Sequence, residues 1–145
     1  YAGCAFTKSY VGYVHAVAHS LGGEYNVPHG LANAILLPFV LEAYGSVINK
    51  KLARLAIAAG IADKSTPEAE AATAFIQAIK DMKKRFDIGD TIPEIREEDI
   101  QKLAHYADKE ANPLYPVPVL MNANELETFY YDLMEKPDKK KEDTL

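Results

Sequence analysis

Only one cysteine, Cys4, stands in the 145 residues, so no intrachain disulfide framework can form, which suits a reducing, cytoplasmic setting. An excess of positive charge is also lacking. The formal net charge is −5 and the pI near 5.4, against the basic face that a nucleic-acid binder needs. Lys139, Lys140 and Lys141 adjoin, but Asp138, Glu142 and Asp143 flank them, the pattern of a solvated tail. The apolar stretch from Gly30 to Tyr44 is short for a membrane span and is interrupted by Asn33 and Pro38, so no membrane partner is expected. No secretory leader is expected either, and the opening Tyr1, with no methionine, suits a piece of a longer protein. Sustained two-residue alternation with β-branched enrichment is missing throughout, which excludes strands.

What remains is helical. An apolar content of 48% is enough for one sizeable core. The periodicity predicts an all-α helical domain of six or seven helices over residues 1–135, followed by a charged, disordered tail over 136–145. A first helix is expected around Ser9–Leu21, stopped by Gly22-Gly23. A second starts near His29 and runs to Tyr44. Its apolar residues cover almost the whole circumference, so it should be the most buried helix. Leu52, Leu55, Ala56 and Ala59 form a stripe ended by Gly60. Ser65-Thr66-Pro67-Glu68 reads as a helix start, with Phe75, Ile79, Met82 and Phe86 as the apolar face behind it. Ile100, Leu103, Ala104 and Ala107 form another stripe before Asn112-Pro113, and the proline-rich stretch Pro113–Val119 is a loop. Asn122 with Glu125 caps a last helix that faces inward through Leu126, Phe129, Tyr130 and Leu133.

Three of the four histidines fall within fifteen residues: His15, His19 and His29. Four residues apart on a helix, His15 and His19 share a face, and the glycine turn after them can fold His29 back toward it. Imidazole is a good ligand for first-row divalent metals, and two helices joined by a turn aim several at one point. The spacing alone also admits a plain helix–helix contact among hydrogen-bonded histidines. It does not admit a zinc protease. The residue after His15 is Ala16, where that chemistry needs a glutamate as base, and Tyr25 stands where the longer protease motif needs a third histidine. Two histidines make an incomplete catalytic site, since a metal enzyme normally holds its ion with three or more protein ligands and keeps a position open for substrate. His105 lies off the apolar stripe of its helix and reads as a surface residue.

The run Gly12-Tyr13-Val14-His15-Ala16-Val17-Ala18-His19-Ser20-Leu21-Gly22-Gly23-Glu24-Tyr25-Asn26-Val27-Pro28-His29-Gly30, continued by Leu31-Ala32-Asn33-Ala34-Ile35-Leu36-Leu37-Pro38, closely resembles the motif of the iron-containing (group III) alcohol dehydrogenases. The H-x-x-x-H-x9-H spacing with Pro-His-Gly distinguishes that family from glycerol dehydrogenases and dehydroquinate synthases, which share its fold. The likeness extends more loosely to the last helix. It implies the C-terminal helical, metal-binding domain of an enzyme whose N-terminal α/β domain, absent from these residues, binds NAD or NADP. It further implies His15 and His29 as ligands of Fe²⁺ (or Zn²⁺) in the cleft between the domains. His19 would stand near the nicotinamide as the residue implicated in proton transfer, and Phe6 as an aromatic wall of the substrate pocket. The family's remaining ligands, an aspartate and a histidine, would lie before Tyr1. Where the family often carries a cysteine near the substrate, this chain has Asp108.

The implied activity is interconversion of alcohols with aldehydes or ketones by hydride transfer, with a divalent ion polarising the oxygen and His19 moving the proton. The intact enzyme would be a homodimer or larger assembly. The 145 residues alone are expected to fold but not to turn over, since no Gly-rich dinucleotide turn lies in them. A different class of answer is a stand-alone helical binding or assembly module that keeps the histidine motif without the activity.

Overall fold

Seven α-helices and no strand form among residues 1–135, the part of the chain that the computed structural model describes. The tail expected at 136–145 lies outside the described residues. In chain order the helices are α1 (Ala2–Ser9), α2 (Tyr13–Tyr25), α3 (His29–Tyr44), α4 (Asn49–Ala58), α5 (Glu68–Arg85), α6 (Ile100–Ala111) and α7 (Ala123–Leu133). Helix α2 packs against α3 and α6, α6 against α7, and α3 also reaches α5 and α7. Helices α4 and α5 form an antiparallel pair hung on α3.

The main core lies between α2, α3, α6 and α7. Leu21, Leu36, Leu103, Leu126 and Leu133 are all fully buried there, each contributing about 1.5–3 kcal/mol of apolar burial. A second cluster joins α4 to α5 through Ala53, Ala56 and Ala71, small side chains that let the two backbones approach.

Several expected boundaries are corrected. The first long helix is α2, which begins only at Tyr13 and continues through both Gly22 and Gly23 to Tyr25. Asn26 ends it instead, with φ 56° and its N–H bonded to the Gly22 carbonyl. Asparagine tolerates the left-handed conformation better than other residues with a Cβ. Ser9 belongs to α1, a short helix with no buried residue. Gly60 does stop α4: at φ 69° it lets its own N–H reach the Ile57 carbonyl while the Ile61 N–H reaches Ala56, a Schellman closure. The capping box of α7 forms as expected between Asn122 and Glu125. Helix α5 starts at Glu68, within the expected Ser65-Thr66-Pro67-Glu68 segment, with Pro67 at the N-cap position and Thr66 Oγ1 accepting the Asp63 N–H.

Two apolar stripes also turn out differently. In α4 the buried residues are Leu52, Ala53 and Ala56, and Leu55 is exposed. In α5 they are Ala71, Ala72 and Lys83, while Met82 and Phe86 lie in the open. Helix α4 has 10 residues and α5 has 18, roughly 15 Å against 27 Å, so the last turns of α5 overhang their partner. Lys83 replaces the expected apolar contact by stretching over the Phe39 ring to Asp90, 2.7 Å from its Nζ.

Helix α3 is not the most buried. Six of its 16 residues are buried, no larger a share than the five of 12 in α6. Leu31 is exposed and Leu37 and Phe39 are half-buried, because part of its circumference lines surface clefts. The run His29–Ala58 is apolar and long enough by composition to cross a bilayer. Here Gly45, at φ 58°, breaks it into α3 and α4 through a 3₁₀ turn, and α3 packs on three other helices as a core helix does.

Candidate active site

Helix α2 positions His15 and His19 one turn apart, with Ala16, Val17 and Ala18 buried between them. Those residues fix the helix against the core and leave the histidines on the opposite side. The left-handed Asn26 and the Val27-Pro28 segment, with Val27 buried, then bring His29 back as the first residue of α3. The ring centroids of His15 and His29 are 5.3 Å apart, those of His15 and His19 5.9 Å, and those of His19 and His29 5.2 Å with the last two stacked. The three histidines singled out in the sequence therefore form one cluster. His105 stands apart from it, exposed on α6.

Each ring is restrained differently. Burial first, then His29 and His19, holds the His15 pKa below the ordinary histidine value, with Glu110 pulling the other way. Neutral imidazole is the form that offers a lone pair to a metal. His29 Nε2 lies 2.9 Å from the Asn33 side-chain nitrogen, one turn on, which also donates to the His29 carbonyl. The Asn33 Oδ1 is buried with no hydrogen-bond partner, an open acceptor beside the cluster. His19 Nδ1 lies 2.7 Å from Glu110 Oε1 on α6.

Nitrogen donors of this kind suit Fe²⁺ or Zn²⁺, so the residues fit a metal in kind. They do not complete one. Among the described residues no three His, Cys, Asp or Glu side chains are arranged to hold an ion, although three imidazoles sit within 6 Å of one another. One nitrogen of His29 lies against Asn33 and one of His19 against Glu110.

Two clefts meet at the cluster. An apolar one of about 570 Å³ runs between α1, α2, α3 and the loop at Pro116–Pro118, lined by Phe6, Tyr10, Val14, His15, Asn33 and Leu37 among others. Phe6 thus shares a cleft with His15, though it is 60% exposed on α1. A polar cleft of about 330 Å³ lies on the other side, bounded by His19, Ser20, Glu24, Tyr106 and Glu110. A further cleft at Phe39, Lys80 and Lys83 is remote from the histidines, and Lys80 and Lys83 there are already paired with Glu42 and Asp90.

Asp108 lines neither cleft at the cluster. Its carboxylate accepts the Asn112 side chain at 2.7 Å. Asn112 also donates to the Met121 carbonyl and accepts the Tyr13 hydroxyl, which ties the proline-rich loop down onto α2. Sequence reasoning missed Glu110, Tyr115 and Asn33. Glu110 could have been found as a charge beside the buried stripe of α6, three residues after Ala107 and next to Ala111. Asn33 lies one turn after His29 and is the one polar side chain in the run Gly30–Leu41 of that helix.

The family model "Fe-containing alcohol dehydrogenase family, C-terminal" matches residues 1–134. Over 118 residues the chain is 40% identical to 1,3-propanediol dehydrogenase of Citrobacter freundii, covering 77% of this chain and 29% of that protein. It is 43% identical over 86 residues to 1-propanol dehydrogenase PduQ of Salmonella typhimurium, 58% of this chain and 23% of the relative. The solved alcohol dehydrogenase from Oenococcus oeni superposes with a TM-score of 0.80 at 30% identity, over 91% of this chain and 35% of that one. The chain thus spans about a quarter to a third of the length of these relatives.

Proposed function

This chain belongs to the Fe-containing alcohol dehydrogenase family, whose C-terminal domain it matches over residues 1–134, and from that premise we propose that it is the metal-holding half of a dehydrogenase interconverting small alcohols with aldehydes or ketones by hydride transfer with NAD or NADP. The observation that carries the reading is the convergence of His15, His19 and His29 beside an apolar cleft. The relatives named for 1-propanol and 1,3-propanediol support small alcohols as substrates. The proposal includes a cytoplasmic enzyme, a nucleotide-binding domain outside these 145 residues, and association as a dimer or larger.

In this reading His15 and His29 hold Fe²⁺ or Zn²⁺, together with ligands from outside the chain. When bound, the ion supplies a positive charge that acidifies an alcohol hydroxyl. The chain's own residues do the rest. His15, kept neutral, presents a lone pair. The apolar cleft, with Phe6 on one side and Leu37 on the other, takes up the carbon chain and keeps water from it. His19 takes the hydroxyl proton, or returns it in the reduction direction.

The test is to supply the full-length protein with Fe²⁺ or Zn²⁺ and to follow reduced-nicotinamide formation from 1-propanol and 1,3-propanediol with NAD⁺ or NADP⁺. Turnover is expected; its absence with every combination overturns the reading. His19→Ala should keep the metal and slow turnover by about 10²-fold, and loss of metal in that variant would make His19 a ligand instead. The 145 residues alone should not turn over, because positioning of the nicotinamide supplies much of the rate.

A further inference from the structure

Glu110 lies 91 residues from His19 in the chain, yet its Oε1 stands 2.7 Å from His19 Nδ1, the length of a charge-assisted hydrogen bond. A carboxylate only accepts. The hydrogen between them therefore sits on Nδ1, and the ring's lone pair is left on Nε2. Among the described residues no hydrogen bond reaches that Nε2.

Glu110 is itself held. The Tyr115 hydroxyl donates to the same oxygen at 2.8 Å. Burial, with Glu110 adding to it, pushes the Tyr115 phenol up to about 12, so it remains a donor through the neutral range. The backbone beneath Glu110 is anchored as well. Ala107 and Ala111 are fully buried, and the helix ends in Asn112, which Asp108, Met121 and Tyr13 all grip. On its flat side the His19 ring is stacked on His29. One edge and one face of His19 are thus fixed by groups on two other helices.

Stability does not explain the pair. The His19 and Glu110 side chains are 44% and 34% exposed, and ion pairs that open contribute little to folding. Their geometry has its effect on the ring.

We propose that Glu110 is a positioning residue for His19, accepting the Nδ1 hydrogen so that Nε2 is the nitrogen presented to the substrate's proton. This rests on the proton-transfer reading of His19 above. The hydroxyl proton passes to Nε2, the Nδ1–H stays bonded to Glu110, and no proton moves to the carboxylate, as in the carboxylate–histidine pairs of hydrolases. Tyr115 extends the arrangement into the proline-rich loop, whose Pro116 and Val117 line the apolar cleft. Seating of that loop is thereby coupled to the aim of the proton acceptor.

The test uses the full-length protein, labelled with ¹⁵N at histidine and loaded with Zn²⁺ as a diamagnetic ion. His19 is identified as the signal missing from His19→Ala. In the unsubstituted protein its neutral ring should carry hydrogen on Nδ1 and a bare Nε2. Glu110→Ala should give a mixture of tautomers, and Glu110→Gln, which keeps an acceptor oxygen, should restore much of the bias. With 1-propanol and NAD⁺ or NADP⁺, Glu110→Ala should lower kcat about tenfold to hundredfold, with KM and zinc content nearly unchanged and Glu110→Gln in between. Hydrogen on Nε2 in the unsubstituted protein overturns the proposal without need of any variant. So does an unaltered tautomer, or an unaltered kcat, in Glu110→Ala. If His19→Ala turns over normally, the relay reading of His19 fails, while the tautomer measurement still judges Glu110.

Discussion

The two sides of helix α2 are built on opposite terms. Toward α6 and α7 it presents Tyr13, Val17 and Leu21, all fully buried, and the one polar group among them is bonded three ways: the Tyr13 hydroxyl faces Asn112 Oδ1, the Met121 carbonyl and the Met121 N–H. Toward α1 and the open clefts it presents His15 and His19, joined by His29. On that side rings of one kind crowd together, an asparagine oxygen lacks a partner, and Phe6, Tyr10 and Leu31 lie exposed. The first side is optimised for folding and the second is held ready for something else. A site that binds a metal and a substrate needs unspent donors, and these are available only where the core has not used them.

That contrast can be broken at either side. The largest effect is expected at the open side. In the full-length protein, His15→Ala or His29→Ala should abolish stoichiometric metal, read by elemental analysis. Activity should fall by more than the roughly 10–100-fold typical of outer-shell partners. The unfolding midpoint of the metal-free protein should barely move, and a large loss of stability there would show that the histidines are part of the fold's support. On the packed side Leu103→Ala, fully buried on α6, should cost about 2–5 kcal/mol in denaturant titration, with metal content preserved in the folded fraction.

Tyr13→Phe sharpens the comparison with a single atom. Removing the hydroxyl leaves the buried Met121 N–H and the Asn112 side chain short of partners, a loss of about 1–3 kcal/mol, and it should loosen the proline-rich loop to proteolysis. A smaller effect is expected far from both sides, at Lys83 and Asp90. The hydrogen bond from Lys83 holds the Asp90 carboxyl below its ordinary pKa, against a lesser opposing effect of burial. A depressed carboxyl stabilises the fold above its unfolded pKa and stops doing so as pH falls through the folded one. Asp90→Asn should therefore lower the urea midpoint modestly at pH 7, since Asp90 is 75% exposed. It should change nothing once acid has protonated the carboxyl; an equal effect at both pH values would show that charge is not the cause. Last, His105→Ala, on the exposed side of α6, should leave metal content intact and stability within about 0.5 kcal/mol.

Much of this was legible in the residues. Helical periodicity, the Asn122–Glu125 cap and the Gly60 stop were local signals, and local backbone preference decided them. The histidine cluster was legible because two of its members are four residues apart and the third follows one turn-forming segment. Where the reading of the sequence went astray, a longer-range contact had the last word. Gly22-Gly23 signals a helix end, but packing carried α2 on to Asn26. Phe86 repeats in phase with an apolar stripe, but α4 is too short to cover it.

By itself, then, the sequence determined that this protein is a set of helices carrying three clustered imidazoles, because helix formation and i, i+4 spacing depend on near neighbours alone. The tertiary structure decided which nitrogen of His19 is left free. Asn33 occupies His29 from the same helix, but Glu110 reaches His19 from 91 residues away, and no local preference encodes a hydrogen bond between α2 and α6. That contact exists because the buried faces of the two helices, Val17 and Leu21 on one and Leu103 and Ala107 on the other, belong to one core, and close packing admits few ways of bringing them together.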